Sequence, residues 1–463
     1  MTSRLIALVP AAGKSSRFRS ETPKVLHPLL GTSMLRLVLD AVLGAKPDGI
    51  LVVAGPDKER VLAEAAAVGA RPAEQESPKG TAHAVLAAKK KIEDEAGEDV
   101  LVVPADLPLL RPAALKALVA RHRRTGSSLT VLSASLKDPG GFDRLVRRDD
   151  GLLDVVEDRN VPPRIKAMKD IYTGIAVFRT KDLLWALPRI AGRSEAGEQN
   201  LGEAVRILSA AGRSVDIFPT PQPEDIVQVD TRADFARVVE LLRGRKFESL
   251  AGGGVTILNP ASTWIDLAAV IGRDTVVYPS VVIEGPTTIG RRCRIYPGAH
   301  LLSARLGNDV RILSLSVVEE ATVEDGVHVG PFARLRPKTR LRPGARVGNF
   351  VEMKNTDFGP GSKAMHLTYL GDSEVGPDVN VGAGTITCNY DGVRKNRTVI
   401  EAGAFIGSGT ELVAPVKVGR GAYVAAGSTI TKDVGPDALA VARARQFEKP
   451  GWAKSRREKL RKG

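Results

Sequence analysis

The segment PAAGKSSRFRSETPK, residues 10–24, follows the short apolar run Leu5–Val9. It puts Gly13, two serines, Arg17, Arg19 and Lys24 just past an expected first strand. A small-residue turn with cations behind it suits phosphate: backbone amides at 12–16 wrap the oxygens while Arg17 and Lys24 neutralise charge. It is not a Walker loop, since no G-x-x-x-x-G-K-[ST] occurs there. Asp106, closing LVVPAD, places a carboxylate at a neighbouring strand end, and Asp230 is a candidate second one. Mg²⁺ takes one or two carboxylates together with substrate phosphates. A second group surrounds His366 in SKAMHLTYLGD, where Lys354, Lys363, Tyr369, Asn380 and Lys395 are polar or cationic and Glu352 is near enough in sequence to orient an imidazole. A base titrating near neutrality, held by a carboxylate, suits proton removal from an amine, worth about 10²–10⁴ in rate. Taken singly, such a turn, a lone Asp and a lone His also have ordinary uses as loop, cap and structural residue.

Two scaffolds with different periods must position these groups. From 1 to about 230, strand-like runs such as Ile50–Ala54 and Val100–Val103 alternate with amphipathic stretches at 34–43 and 57–68. That alternation implies a parallel sheet with ligands beyond the carboxyl ends of its strands, where the 10–24 loop and Asp106 can face one crevice. A helix is expected from Asp230 or Thr231 to about Leu242, with Phe235, Val238, Val239 and Leu242 on one stripe, before AGGG at 251–254 breaks the chain. Beyond it the period becomes six: Ile271, Val277, Ile283, Ile289, Ile295 and Leu301, then Val323 to Met353, then Ile400 to Ile430. One inward aliphatic residue per six, with small residues at corners, is the pattern of a hexapeptide β-helix whose coils take about 18 residues. Two stretches, 354–374 and 388–399, read as loops that interrupt the repeat. The expected organisation is 1–229 as an α/β domain, 230–250 as a helical linker, 251–445 as the β-helix and 446–463 as a basic tail.

The chain has 463 residues, room for more than one core, with 43% apolar and 26% charged residues. No apolar run approaches a membrane span, and the N-terminal run is too short for a signal sequence. Cys293 and Cys388 are the two cysteines, which argues against a disulfide framework and fits a reducing cytoplasm. The formal charge of +14 fits polyanionic small substrates; no stacking aromatics or helix-turn-helix pattern supports specific nucleic acid. Part of the charge lies in the tail 454–462, expected to be a solvated, disordered end.

Several blocks resemble one family over nearly the whole length: AAGKSSRF, SETPKVLH, KGTAHA, GPFARLRP, VGNFVEMKN, GSKAMHLTYLGD and VNVGAGTITCNYDG. They are similar to the bifunctional N-acetylglucosamine-1-phosphate uridylyltransferase / glucosamine-1-phosphate N-acetyltransferases of bacterial cell-wall synthesis. The resemblance implies a Rossmann-like α/β domain followed by a left-handed parallel β-helix that trimerises, with the acetyl-transfer site between subunits. It implies that Arg336, Lys354, Tyr369, Asn380 and Lys395 hold glucosamine-1-phosphate, and that Glu352 orients His366 as general base. It places Asn389 and Tyr390 at the reacting centre, and Ala383, Ser408, Ala426 and Arg443 along acetyl-CoA. In the first domain it assigns Ala11, Ala12, Gly13, Arg17, Lys24, Gln75, Gly80 and Thr81 to UTP, Glu157 to the UDP-sugar, and Asp106 to Mg²⁺ together with Asp230, which stands where the family has an asparagine and is a harder ligand of similar reach.

The sugar side of the first pocket departs from the family pattern. Asp143 stands for a glycine, Tyr172 for an asparagine, and Glu198-Gln199-Asn200-Leu201-Gly202-Glu203 for E-Y-Y-x-T-D. An alternative therefore stays open: the same acetyltransferase with a first domain that uses a different sugar-1-phosphate or only binds nucleotide.

Overall fold

The computed structural model describes residues 4–13, 16–55, 58–77, 79–148, 151, 153–158, 161–191 and 199–461. The chain divides into two compact units, Met1–Gly244 and Arg245–Gly463.

In the first unit the central sheet runs, in spatial order, Val215–Pro219, Leu129–Ser135, Asp170–Arg179, Asp99–Val102, Leu5–Pro10, Gly49–Ala54 and Arg71–Glu74. All neighbours are parallel except around Asp170–Arg179, which is antiparallel to both of its partners. Leu5 to Val9 are at most 2% exposed, so both faces of the first strand are covered, as a near-continuous apolar run requires. Two apolar clusters do the covering. One packs Leu35, Val38, Leu39 and Leu115 on one side, and the other packs Val85, Ile92, Leu183 and Leu208 on the opposite side. A hairpin, Arg144–Arg147 with Leu153–Val156, joins the sheet through the pairing of Arg144 with Ile171. The amphipathic stretches expected at 34–43 and 57–68 are the helices Met34–Gly44 and Lys58–Ala66.

The helix after Asp230 runs further than its sequence stripe suggests, from Arg232 to Gly252. Phe235 sits against Phe18 and His27 in the first unit, whereas Phe247 and Leu250 join the core of the second. The later turns are polar except where they cap that core, so they carry no continuous stripe to read.

The second unit is a parallel β-helix of three sheets with 11, 10 and 9 strands. Val277 pairs with Ile295 and Ile295 with Ile312, spacings of 18 and 17 residues; the apparent slips in the hexad pattern are coils one residue short. The stretch 354–374 is not an interrupting loop. Its strands Asp357–Phe358, Lys363–His366 and Tyr369–Gly371 continue the three sheets, with Phe358, Ala364 and Leu370 fully buried. An aromatic and an alanine in inward positions hide the period there. The insertion at 388–399 is real: Asn380 pairs with Phe405, 25 residues on, and Tyr390 bridges Lys395 within the excursion. The tail is helical over Trp452–Arg461 and exposed throughout, which corrects the expectation of a disordered end. Ala, Glu, Lys, Leu and Arg are all good helix formers, which accounts for it.

Candidate functional site

In the first unit, Lys24 joins the two expected carboxylates. Its Nζ donates to Asp106 Oδ2 and Asp230 Oδ1, both at 3.0 Å, and Arg17 pairs with Asp230 Oδ2 at 2.9 Å. Burial works against the Lys24 charge, but Asp106 and Asp230 outweigh it and hold its pKa above the ordinary lysine value. Asp106 is fixed by Gln228 Nε2 at 3.2 Å, yet its Oδ1 is buried with no hydrogen-bond partner. An orphaned buried carboxylate oxygen costs free energy unless something fills its place, and a hard cation fits it. Among the described residues no group of three or more His, Cys, Asp or Glu is arranged for a metal. Asp106 and Asp230 are the carboxylates here that could take a hard cation.

The expected nucleotide loop lies alongside. Ala12 is buried, Ala11 N donates to Val53 O, and Gly13 has open space over its α-carbon. Gln75 is 3% exposed and donates to Gly80 O at 3.3 Å, with His83 Nδ1 at 2.7 Å. Gly80, at φ +102° and ψ 177°, lies so close to Gln199 that a Cβ would meet that residue's backbone. Three bonds zip this loop to the distant segment 199–201: Ala82 N to Gln199 O, Gln199 N to Lys79 O, and Leu201 N to Thr81 Oγ1. Lys14 and Ser15 of the expected amide cradle, and Glu198 of the departing run, lie outside the described residues.

The departures from the family pattern cluster together. Asn200 Nδ2 donates to Asp143 Oδ2 at 3.1 Å and to Glu157 Oε1 at 3.3 Å, one amide holding two carboxylates. Burial raises the Asp143 pKa, and burial together with Asp143 raises that of Tyr172. Sequence reasoning flagged Asp143 and Tyr172 one by one; it did not show that Asn200 ties the first to Glu157. A separate cleft of about 780 Å³ opens near Asp99, His122 and Arg179, and none of the expected residues lines it.

In the β-helix, Arg336, Glu352, Lys354, Tyr369, Asn389 and Lys395 gather on adjoining coils. Glu352 pairs in register with Tyr369 and Lys354 with Gly371. Gly371 leaves so little room that an added Cβ would lie 2.5 Å from Tyr369 Oη and 2.7 Å from Asn389 Nδ2. The Lys395 ammonium beside Lys354 is the main reason that the Lys354 pKa falls below the ordinary value, and Arg336 adds to it. Cations crowded this way attract a dianionic group. Asn380 lies on another face, between Lys363 and Phe405, and Tyr390 turns its hydroxyl onto Gly392 O.

His366 differs from expectation. Its Nδ1 faces Asn349 Oδ1 at 2.8 Å, while Glu352 accepts from Arg336 at 2.9 Å. Within one chain the carboxylate is therefore held by the cation cluster and not by the imidazole. Register is the cause: Asn349 pairs with His366, whereas Glu352 is in the next sheet and pairs with Tyr369.

The same register aligns the third expected group. His366, Ala383, Ser408 and Ala426 occupy one corner position on successive coils. Gly409 N donates to Ala383 O and Gly427 N to Ser408 O, and Arg443 Nη1 closes the column on Ala426 O at 2.6 Å. At one coil per about 4.8 Å, this floor of small residues extends about 14 Å from the imidazole. It suits an elongated ligand laid between His366 and Arg443.

Comparison with known proteins agrees with both halves. The MobA-like NTP transferase domain family matches residues 7–197, and the bacterial transferase hexapeptide family matches 268–302 and 397–432. The bifunctional protein GlmU of Thermotoga maritima is 44% identical over 455 residues, covering 98% of this chain and 99% of the relative. That of Carboxydothermus hydrogenoformans is 42% identical over 448 residues, covering 96% and 99%. That of Geobacillus thermodenitrificans is 40% identical over 447 residues, covering 96% and 97%.

Proposed function

Since this chain belongs to the family of bifunctional GlmU proteins, we propose a role in its two reactions for each residue group described above. The protein is a transferase of UDP-N-acetylglucosamine synthesis. The hexapeptide unit acetylates glucosamine-1-phosphate from acetyl-CoA; the NTP-transferase unit moves the uridylyl group of UTP to N-acetylglucosamine-1-phosphate and releases pyrophosphate.

For acetyl transfer, Arg336, Lys354 and Lys395 hold the sugar phosphate, with Tyr369, Asn380 and Asn389 around the sugar. His366 takes the amine proton as nitrogen attacks the thioester carbonyl; the carbon–sulfur bond then breaks, and the imidazolium returns the proton to the departing CoA thiolate, which leaves as the thiol. Ala383, Ser408 and Ala426 floor the donor arm, Arg443 meets phosphate at its far end, and Tyr390 stands near the acetyl group. The observation that carries this reading is the single-corner alignment of His366 with Ala383, Ser408 and Ala426. In one chain His366 and the cation cluster occupy two corners separated by a three-residue strand, about 10 Å. A complete site then needs a second copy. The exposed corner column Leu315, Phe332, Phe350 and Leu367 supports association, and we read the assembly as a homotrimer.

For uridylyl transfer, Arg17 and Lys24 neutralise the triphosphate while the sugar phosphate attacks the α-phosphorus. Asp106 and Asp230 hold Mg²⁺, which when bound supplies charge neutralisation at the reacting phosphates. Ala11, Ala12, Gly13, Gln75, Gly80 and Thr81 hold UTP; Asp143, Glu157 and Tyr172 face the sugar. Both free thiols and the absence of a long apolar helix among the described residues fit a cytoplasmic enzyme of small substrates.

Running the half-reactions separately tests the assignment. His366→Ala should lower thiol release from acetyl-CoA by at least about 100-fold and leave pyrophosphate release unchanged. Loss of both activities to the same extent would refute the assignment of His366 to one site. A panel of sugar-1-phosphates in the second assay reads what Asp143 and Tyr172 admit.

A further inference from the structure

Asn349 lies one coil before His366 at the equivalent corner position, and the two are register partners. The side chains meet through Nδ1 and Oδ1 at 2.8 Å, and Leu367 N donates to Asn349 O at 3.0 Å. The preceding residue leaves no slack: a Cβ on Gly348 would collide with the Met365 carbonyl. Phe350 and Leu367, which follow the pair, both turn the corner at positive φ, and Phe350 stacks on Phe332 at 5.4 Å. Backbone and side chains thus fix where Asn349 stands relative to the ring.

We propose that Asn349 is a positioning residue that sets the tautomer of His366 in the acetyl-transfer site. This rests on the reading of His366 as general base. An amide oxygen can only accept, so the ring nitrogen facing it carries the hydrogen, and Nε2 keeps its lone pair for the incoming amine. The neutral amide orients the ring without the stabilisation of the imidazolium that a carboxylate gives. The carboxylate expected for that task, Glu352, is committed to Arg336 within its own chain. The groups facing the ring from the elements around it are Asn349 on the preceding coil and small residues, Ala383 foremost, on the following one. No acid lies at either register position.

The test uses the full-length protein and three variants, with kcat, KM and the pH profile of acetyl transfer measured on each. Asn349→Leu should lower kcat at least tenfold with KM for acetyl-CoA and glucosamine-1-phosphate within twofold. Asn349→Asp keeps an acceptor in place. It should recover most of kcat and move the acidic limb of the profile, where activity appears as His366 loses its proton, upward by about one unit. His366→Ala marks the floor. Full activity of Asn349→Leu, or an unshifted profile for Asn349→Asp, with His366→Ala inactive, overturns the proposal alone. An active His366→Ala overturns the reading beneath it. Should Asn349→Leu fail to fold, the profile of Asn349→Asp decides.

Discussion

Replacing Gly80 by alanine probes the nucleotide loop at its tightest point. The glycine adopts φ +102° and ψ 177°, a region open essentially only to glycine, so an L side chain there costs about 1–3 kcal/mol. The new Cβ would also press on the Gln199 carbonyl oxygen and stand 2.8 Å from the Gln199 nitrogen; both are backbone atoms that cannot rotate away. The strands of the loop must separate, releasing one or two of the bonds from Ala82, Gln199 and Leu201, each worth about 0.5–1.5 kcal/mol. The sum is about 3 kcal/mol, equivalent to about 6 °C in the Tm of a unit of this size. Gln75 is anchored on Gly80 O, so the side of the pocket proposed to hold UTP should move too. The expected result is a lower Tm for the first transition by calorimetry and a KM for UTP raised at least tenfold, with acetyl transfer untouched. Gly69→Ala is the control: φ is +74° there but nothing lies within 4 Å, so it carries strain without collision. Equal Tm losses for the two variants, or an unchanged KM in Gly80→Ala, would show that the contact with Gln199 does not constrain the pocket.

Other perturbations address the remaining groups. The Lys354 pKa is lowered chiefly by Lys395, so Lys354 loses its charge at a lower pH than an ordinary lysine. Affinity for glucosamine-1-phosphate should fall as pH rises through that range, and Lys395→Ala should move the fall upward while weakening binding at neutral pH. Titration calorimetry against pH reads both. Asp106→Ala removes the buried unpartnered oxygen and one anchor of Lys24. Pyrophosphate release should drop at least about 100-fold and fail to recover with added Mg²⁺, with thiol release at the wild-type rate.

Much of this architecture is legible because it is periodic. Inward residues such as Ile295 and Leu301 recur every six positions, and a side chain that must fill a narrow prism leaves a trace in the sequence. The trace fades where Phe358 and Ala364 take the inward positions, which made a regular coil read as a loop. Which residues share a corner is harder still. A single 17-residue coil shifts every later alignment by one, so a strict 18-residue period would place Gly348 beside His366 where the register places Asn349. Glu352, singled out for its nearness in sequence and by the family resemblance, pairs with Tyr369 on the next sheet. In the first unit, Lys24, Asp106 and Asp230 each stood out at a strand end or boundary. The bridge from Asn200 to Asp143 and Glu157 joins a hairpin to a segment over 40 residues away, and no local pattern encodes it.

The column that ends at Arg443 has a thermal consequence. In a solenoid each coil is stabilised only by its neighbours, so opening starts at the ends. Leu439–Ala440, the last strand, pairs on one side only, with Tyr423–Val424, and Arg443 follows directly after it. The grip proposed for the far end of the donor thus belongs to a terminal coil, while His366 sits four coils inward. If Arg443 holds the donor as proposed, brief unzipping of that last coil would loosen the spent carrier without disturbing His366, and product departure would depend on a different part of the stack from the chemistry.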